Sequence, residues 1–126
     1  MKIEGTLRDL LETTEFLALV TVGGDGPHVG GNWGDYLRKL GIDEDRIVLP
    51  AGHYRQTEAN LKQDPRIQVM VASRKVAGSR SPGQGGIITG RAEVVAEGPD
   101  AERAKAAFPW ARGALVIHVE GFAAQL

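Results

Sequence analysis

From Phe16 to Val22 the chain reads FLALVTV, apolar nearly throughout, which predicts a strand buried on both sides. Before it, Leu7, Leu10 and Leu11 fall on one helical stripe, with Thr6 placed to cap and Asp9 at the third position. Gly24-Asp25-Gly26 followed by Pro27 predicts a hairpin turn, with the return strand starting at His28. Gly30 and Gly31 weaken that strand and invite something flat to approach the backbone. Leu37 to Leu40 allows one short helical turn, and Gly41 to Asp45 reads as an acidic loop.

Ile47, Val48 and Leu49 form a short apolar strand that stops at Pro50. A small-residue turn, Ala51-Gly52, leads through the polar group His53 to Thr57 into a helix that ends near Asp64-Pro65. The pattern allows its start at either His53 or Thr57. Ile67, Val69 and Val71 then alternate with Gln68 and Met70 as a half-buried strand, and Ser73 carries the inward phase onward. Arg74 to Gly86 reads as a long irregular basic loop, solvated or lying over an anionic ligand. Ile88, Gly90, Ala92 and Val94 face away from Thr89, Arg91 and Glu93 on the next strand. Pro99 and Asp100 open a helix that Pro109 stops, and Ala114 to Val119 is the last strand. Six strands, three short helices and no strand–helix–strand repeat predict a mostly β, antiparallel fold. Many glycine bends favour a closed or nearly closed barrel over an open sheet with exposed edges.

Composition changes this picture little. The 126 residues suffice for one domain, spanning 1–126, that buries roughly two-thirds of its unfolded surface. Fifteen Lys+Arg against 16 Asp+Glu leave no basic surplus for coating nucleic acid or an anionic membrane. No apolar run is long enough to cross a bilayer, and MKIEGTLRDLLE lacks the apolar core of a signal peptide. A cytoplasmic protein is expected. The absence of cysteine excludes disulfides, thiolate nucleophiles and sulfur metal sites.

The chemistry-bearing residues are few. His28, His53 and His118 pair at no metal-ligand spacing, so no metal site is expected. No nucleophile elbow, Walker loop or dinucleotide fingerprint appears, and no residue reads as a dedicated catalytic acid or base. What stands out is a helix start with Arg55, Gln56 and Thr57, whose free N–H groups suit a phosphate. The same residues also suit a plain capped helix. Trp33, Tyr36 and Trp110 lie in connections, where they would serve as stacking surfaces or as core plugs. A flat, aromatic, phosphorylated ligand would need both features.

The run TEANLKQDPRIQV resembles the segment that marks FMN-binding split barrels, the group of pyridoxamine 5′-phosphate oxidases and flavin reductases. GDGPH, the Trp33–Tyr36 pair, RIVLP, TEAN, SRKVAG and WARGALVI follow in order over nearly the whole chain, as in its small bacterial FMN-binding proteins. The resemblance implies a six-stranded Greek-key split barrel, a homodimer and one non-covalent FMN per subunit at the dimer interface. It places Trp33, Tyr36 and Trp110 near the isoalloxazine ring and Ala51 to Thr57 near the phosphate and ribityl chain. Asn32 and the backbone near Pro50, Ala51 and Gly52 would face the ring's polar edge. Arg55, Gln56 and Thr57 would hold the phosphate, with Ser73 and Lys75 as second candidates. Leu126 would reach the neighbouring subunit's flavin. Where the family's small members carry a lysine before Thr-Glu-Ala-Asn, this chain has Gln56, leaving Arg55 or Lys75 to replace its charge. The expected function is an electron carrier whose redox partner the sequence does not name. The alternatives are a flavin reductase or pyridoxamine 5′-phosphate oxidase-like enzyme, and a barrel that has lost FMN or binds another tetrapyrrole- or flavin-like ligand.

Overall fold

The turn at Gly24-Asp25 sets the first hairpin, and the remaining strands wrap around it. The computed structural model describes residues 1–126. In chain order the elements are helix α1 (Gly5–Thr13), strands β1 (Phe16–Gly23) and β2 (Gly26–Trp33), helix α2 (Gly34–Leu40), strand β3 (Arg46–Ala51) and helix α3 (Arg55–Gln63). Strands β4 (Arg66–Ala77) and β5 (Pro82–Val95), helix α4 (Pro99–Ala107) and strand β6 (Gly113–Ala124) complete it. Every neighbouring pair is antiparallel, in the order β2-β1-β4-β5-β6-β3.

This sheet curls into a half-barrel whose edge strands, β2 and β3, share no ladder. Side chains join them instead. Asn32 Nδ2 donates to the Pro50 carbonyl at 3.1 Å, and the Tyr54 hydroxyl donates to the Gly31 carbonyl at 3.1 Å. Pro50 has no N–H to offer a ladder, which suits an edge strand. The fold is thus a split barrel, open where full closure was one expectation.

Two apolar clusters hold it. The larger fills the concave side: Leu17, Leu19, Leu49, Val69, Ile88 and Leu115 point inward, and Leu7, Leu10 and Leu11 of α1 close the end. The smaller lies behind β3 and β6, where Val48, Ala114 and Val116 face outward against Leu40, Ala104 and Phe108 from α2, α4 and the loop after α4. β3 and β6 are therefore covered on both faces. Arg46 ties this region together, donating to Asp100 at 2.7 Å and to Asp43 at 2.8 Å. These hydrogen bonds raise the Arg46 pKa further. Arg46 in turn holds the Asp100 carboxyl below its usual range, against burial and with help from Arg103.

Several sequence expectations are corrected. There are four helices, not three: α2 is a full element that starts as Gly34 N–H donates to Glu15 O, and its Arg38 donates to the Leu11 and Thr14 carbonyls at the end of α1. Glu4, not Thr6, occupies the cap position of α1, and no side chain caps it. β1 is buried on one face only; Phe16 and Val22 remain about half exposed. β2 begins at Gly26, two residues early, because Gly23 and Gly26 already pair. α3 starts at Arg55, between the two expected starts. Most of the expected Arg74–Gly86 loop is strand, since Val71, Ala72 and Ser73 pair with Gly86, Gly85 and Gln84, and only Gly78 to Ser81 turns. β6 runs on to Ala124 because Gly86, Ile87 and Ile88 of β5 pair with Ala124, Ala123 and Phe122.

Candidate functional site

Most of the predicted site residues converge where β2 and β3 meet. β2 ends at Asn32 and Trp33, and Trp33 is the residue from which α2 starts. The Asn32 amide bridges to β3 at Pro50, so its position is fixed by the split itself. One helical turn on, Tyr36 packs against Phe108, and both rings contact Trp110, at centroid distances of 5.8 and 5.5 Å. Trp110 lies over Gly52: a Cβ there would stand 2.9 Å from the indole, so only glycine lets the ring settle on the turn. Trp33 sits elsewhere, edge-on to Phe16 at 5.5 Å. The two tryptophans thus form two aromatic groups, both about half exposed.

The turn after β3 carries the polar part. Tyr54 adopts φ +24°, the one non-glycine residue with positive φ, and stands directly before α3. Burial pushes its phenol well above the ordinary tyrosine range, and Asn32 pulls it part of the way back. The hydroxyl stays protonated and donates to Gly31 O. No side chain caps α3, and the backbone N–H groups from Gly52 to Thr57 find no acceptor within the chain. These donors sit at the positive end of a helix dipole. Thr57 is buried, its hydroxyl takes no partner from the chain, and its oxygen is not sealed from solvent. That oxygen lies 3.6 Å from where a Cβ on Gly30 would be, so the glycine of β2 forms the facing wall. Arg55 and Gln56 are exposed, and the Gln56 amide donates along the helix to Asn60, which donates to Thr21.

Ser73, Lys75 and Leu126 lie apart from this turn. They line a groove of about 990 Å³ beside the tip of the β4–β5 hairpin. Ser73 Oγ accepts from Lys75 N–H at 3.2 Å, and Gln84 grips Leu126, donating to its carbonyl and accepting from its N–H at 2.7 Å each. The groove extends to Glu15, next to Phe16 and so to the Trp33 aromatic pair.

The sequence assigned no site role to Arg112 or Phe16, and it took in Tyr54 only as part of the Ala51–Thr57 turn. Arg112 donates from Nε to Gly52 O at 2.8 Å and from Nη2 to His53 O at 3.0 Å, and pairs with Glu58 at 3.0 Å. The only sequence signal for it was its place in WARGALVI, beside Trp110. Free amides at the start of α3, a glycine wall at Gly30 and an exposed indole over Gly52 fit what an aromatic ring with a phosphate tail demands.

Residues 3–123 match the pyridoxamine 5′-phosphate oxidase family. An FMN-binding protein from Nitratidesulfovibrio vulgaris is 44% identical over 117 residues, covering 93% of each chain. Among solved structures, a HupZ variant from Group A Streptococcus superposes with a TM-score of 0.77 at 22% identity, covering 98% of this chain and 99% of that one. A putative pyridoxamine 5′-phosphate oxidase from Lactobacillus delbrueckii gives 0.69 at 16% identity, covering 97% and 93%. The structural likenesses bear on the fold, and the sequence matches bear on descent. This chain is a member of the pyridoxamine 5′-phosphate oxidase family.

Proposed function

We propose that this protein binds one non-covalent FMN per subunit and works as an electron carrier. The observation that carries the reading is the uncapped start of α3, whose Thr57 faces Gly30 of β2, with the exposed Trp110 lying over Gly52 at the same turn. The 44% identical relative, named for binding FMN, supports the choice of ligand. The amides from Gly52 onward, with Arg55, Gln56 and Thr57, hold the phosphate; Ser73 and Lys75 are the second candidates. Asn32 and the backbone of Pro50 and Ala51 face the ring's polar edge. Trp33, Tyr36 and Trp110 border the ring and exclude water. The bound flavin supplies the redox chemistry; the protein sets its position and electrostatic surroundings.

A homodimer goes with this reading. The convex side of β1, β2 and β4 leaves Phe16, Val22, Val29, Trp33 and Met70 about half exposed or more, a surface that a second copy would cover. Leu126, 66% exposed, is free at its side chain to reach the neighbouring subunit's ring. A cytoplasmic setting is part of the proposal; no helix is long and apolar enough to cross a membrane. The family description favours one rival, an oxidase or reductase with a second substrate. A yellow purified protein with a flavin spectrum and no NADH or pyridoxamine 5′-phosphate turnover supports the carrier. Turnover supports the rival, and a colourless protein that ignores added FMN overturns both.

A further inference from the structure

Arg112 holds three consecutive carbonyls of one turn. Its own N–H donates to Ala51 O at 2.8 Å, its Nε to Gly52 O at 2.8 Å and its Nη2 to His53 O at 3.0 Å. In a trans peptide the carbonyl of one residue and the N–H of the next point in opposite directions. Fixing those three carbonyls therefore turns the N–H groups of Gly52, His53 and Tyr54 away from Arg112. They continue into the free N–H groups of Arg55, Gln56 and Thr57, and the Thr57 hydroxyl, unpartnered and open to solvent, belongs to the same stretch. A run of amides facing one way is an anion cradle. Glu58, in the first turn of α3, takes the remaining charge of Arg112 at 3.0 Å, and both side chains are only about a quarter exposed, 25% and 22%. The guanidinium is thus committed to the turn and to Glu58.

We propose that Arg112 is the positioning residue of the phosphate cradle: it aims the amides from Gly52 to Tyr54 at the anion without contacting the anion itself. This rests on the FMN reading above. It accounts for a phosphate site with an uncharged Gln56 directly before Thr57: the selectivity comes from oriented backbone dipoles, and the cation works from behind them. The requirement is for a forked donor, since only a guanidinium reaches two carbonyls and a carboxylate together.

The test is titration of wild type, Arg112→Lys and Arg112→Met with FMN and with riboflavin, which lacks the phosphate. Far-UV circular dichroism monitors folding. Wild type is expected to prefer FMN. Both variants are expected to lose at least tenfold of that preference while riboflavin affinity stays within twofold. Inorganic phosphate should compete with FMN less well in the variants than in wild type. Full retention of the preference in Arg112→Lys would make the charge rather than the fork responsible, and overturns the proposal. Equal losses for both ligands would make Arg112 merely structural, and also overturn it. If the Arg112 variants do not fold, amide NMR of the wild type titrated with inorganic phosphate decides. Shifts of the Gly52, His53 and Tyr54 N–H signals support the proposal, and unshifted signals overturn it. A wild-type protein that binds both ligands equally removes the phosphate site altogether, a failure distinct from a preference that the variants keep.

Discussion

The two sides of the β-sheet solve the same problem differently. Behind β3 and β6 the chain supplies its own cover, with α2, α4 and Phe108 over Val48, Ala114 and Val116. On the convex side of β1, β2 and β4 it supplies none, and Phe16, Val22, Val29, Trp33 and Met70 stay exposed. Both surfaces are apolar. What separates them is the connection: β2 leads through α2 to β3 and β5 through α4 to β6, so the helices fall on the second pair of strands. The candidate site lies at the border between the two sides, where Asn32 of β2 reaches Pro50 of β3 and Trp110 lies over Gly52.

The sharpest way to break this contrast is in the clad half. Phe108→Ala should cost about 3 kcal/mol by emptying the smaller core. The loss should appear in urea unfolding at every protein concentration, because the cover belongs to the same chain. At the border, Thr57→Val should weaken FMN about tenfold, the cost of one hydrogen bond to a charged group, and leave riboflavin unaffected. Equal weakening of both would place the phosphate elsewhere.

A smaller effect tests the Arg46–Asp100 tie. Asp100 sits below its unfolded carboxylate range, so it adds stability at neutral pH that is lost as the pH falls from about 4 through the lowered folded value. Asp100→Asn should cost about 1 kcal/mol at pH 7 and flatten that part of the acid-unfolding profile. The smallest effect on folding belongs to the bare side. Met70→Lys should change the stability of an isolated chain by less than about 0.5 kcal/mol, while sedimentation shows loss of self-association. A destabilisation as large as that of Phe108→Ala would mean that the convex face is not a spare surface at all.

Much of the fold was legible in the residues. Alternation at Ile67, Val69 and Val71, the Gly24–Gly26 turn and the proline-bounded α4 each carry a local signal that the structure repeats. The reading failed where partners decide. FLALVTV looks doubly buried because both of its faces are apolar, yet only one is covered in a single chain. The glycines from Gly83 to Gly86 look like loop, yet their backbone continues the ladder with β4. α2 is short and begins at glycine, and its position owes more to Arg38 and the end of α1 than to its own pattern. At the site, the cleft-forming Asn32, Gly52 and Thr57 were visible as residue types in a suggestive order. Tyr54 was visible only as part of the Ala51–Thr57 turn and Arg112 not at all, because their importance lies in backbone geometry: one positive φ and three carbonyls held by one residue.

Pro50 gives the molecule a permanent mouth. Lacking an amide hydrogen, it offers β2 no main-chain donor at this point, and the hydrogen bonds across the gap come from two replaceable side chains, Asn32 and Tyr54. A seam fastened this way can widen by a rotamer change without tearing a single rung of the sheet, and a bulky planar guest could be admitted at little cost to the framework around it.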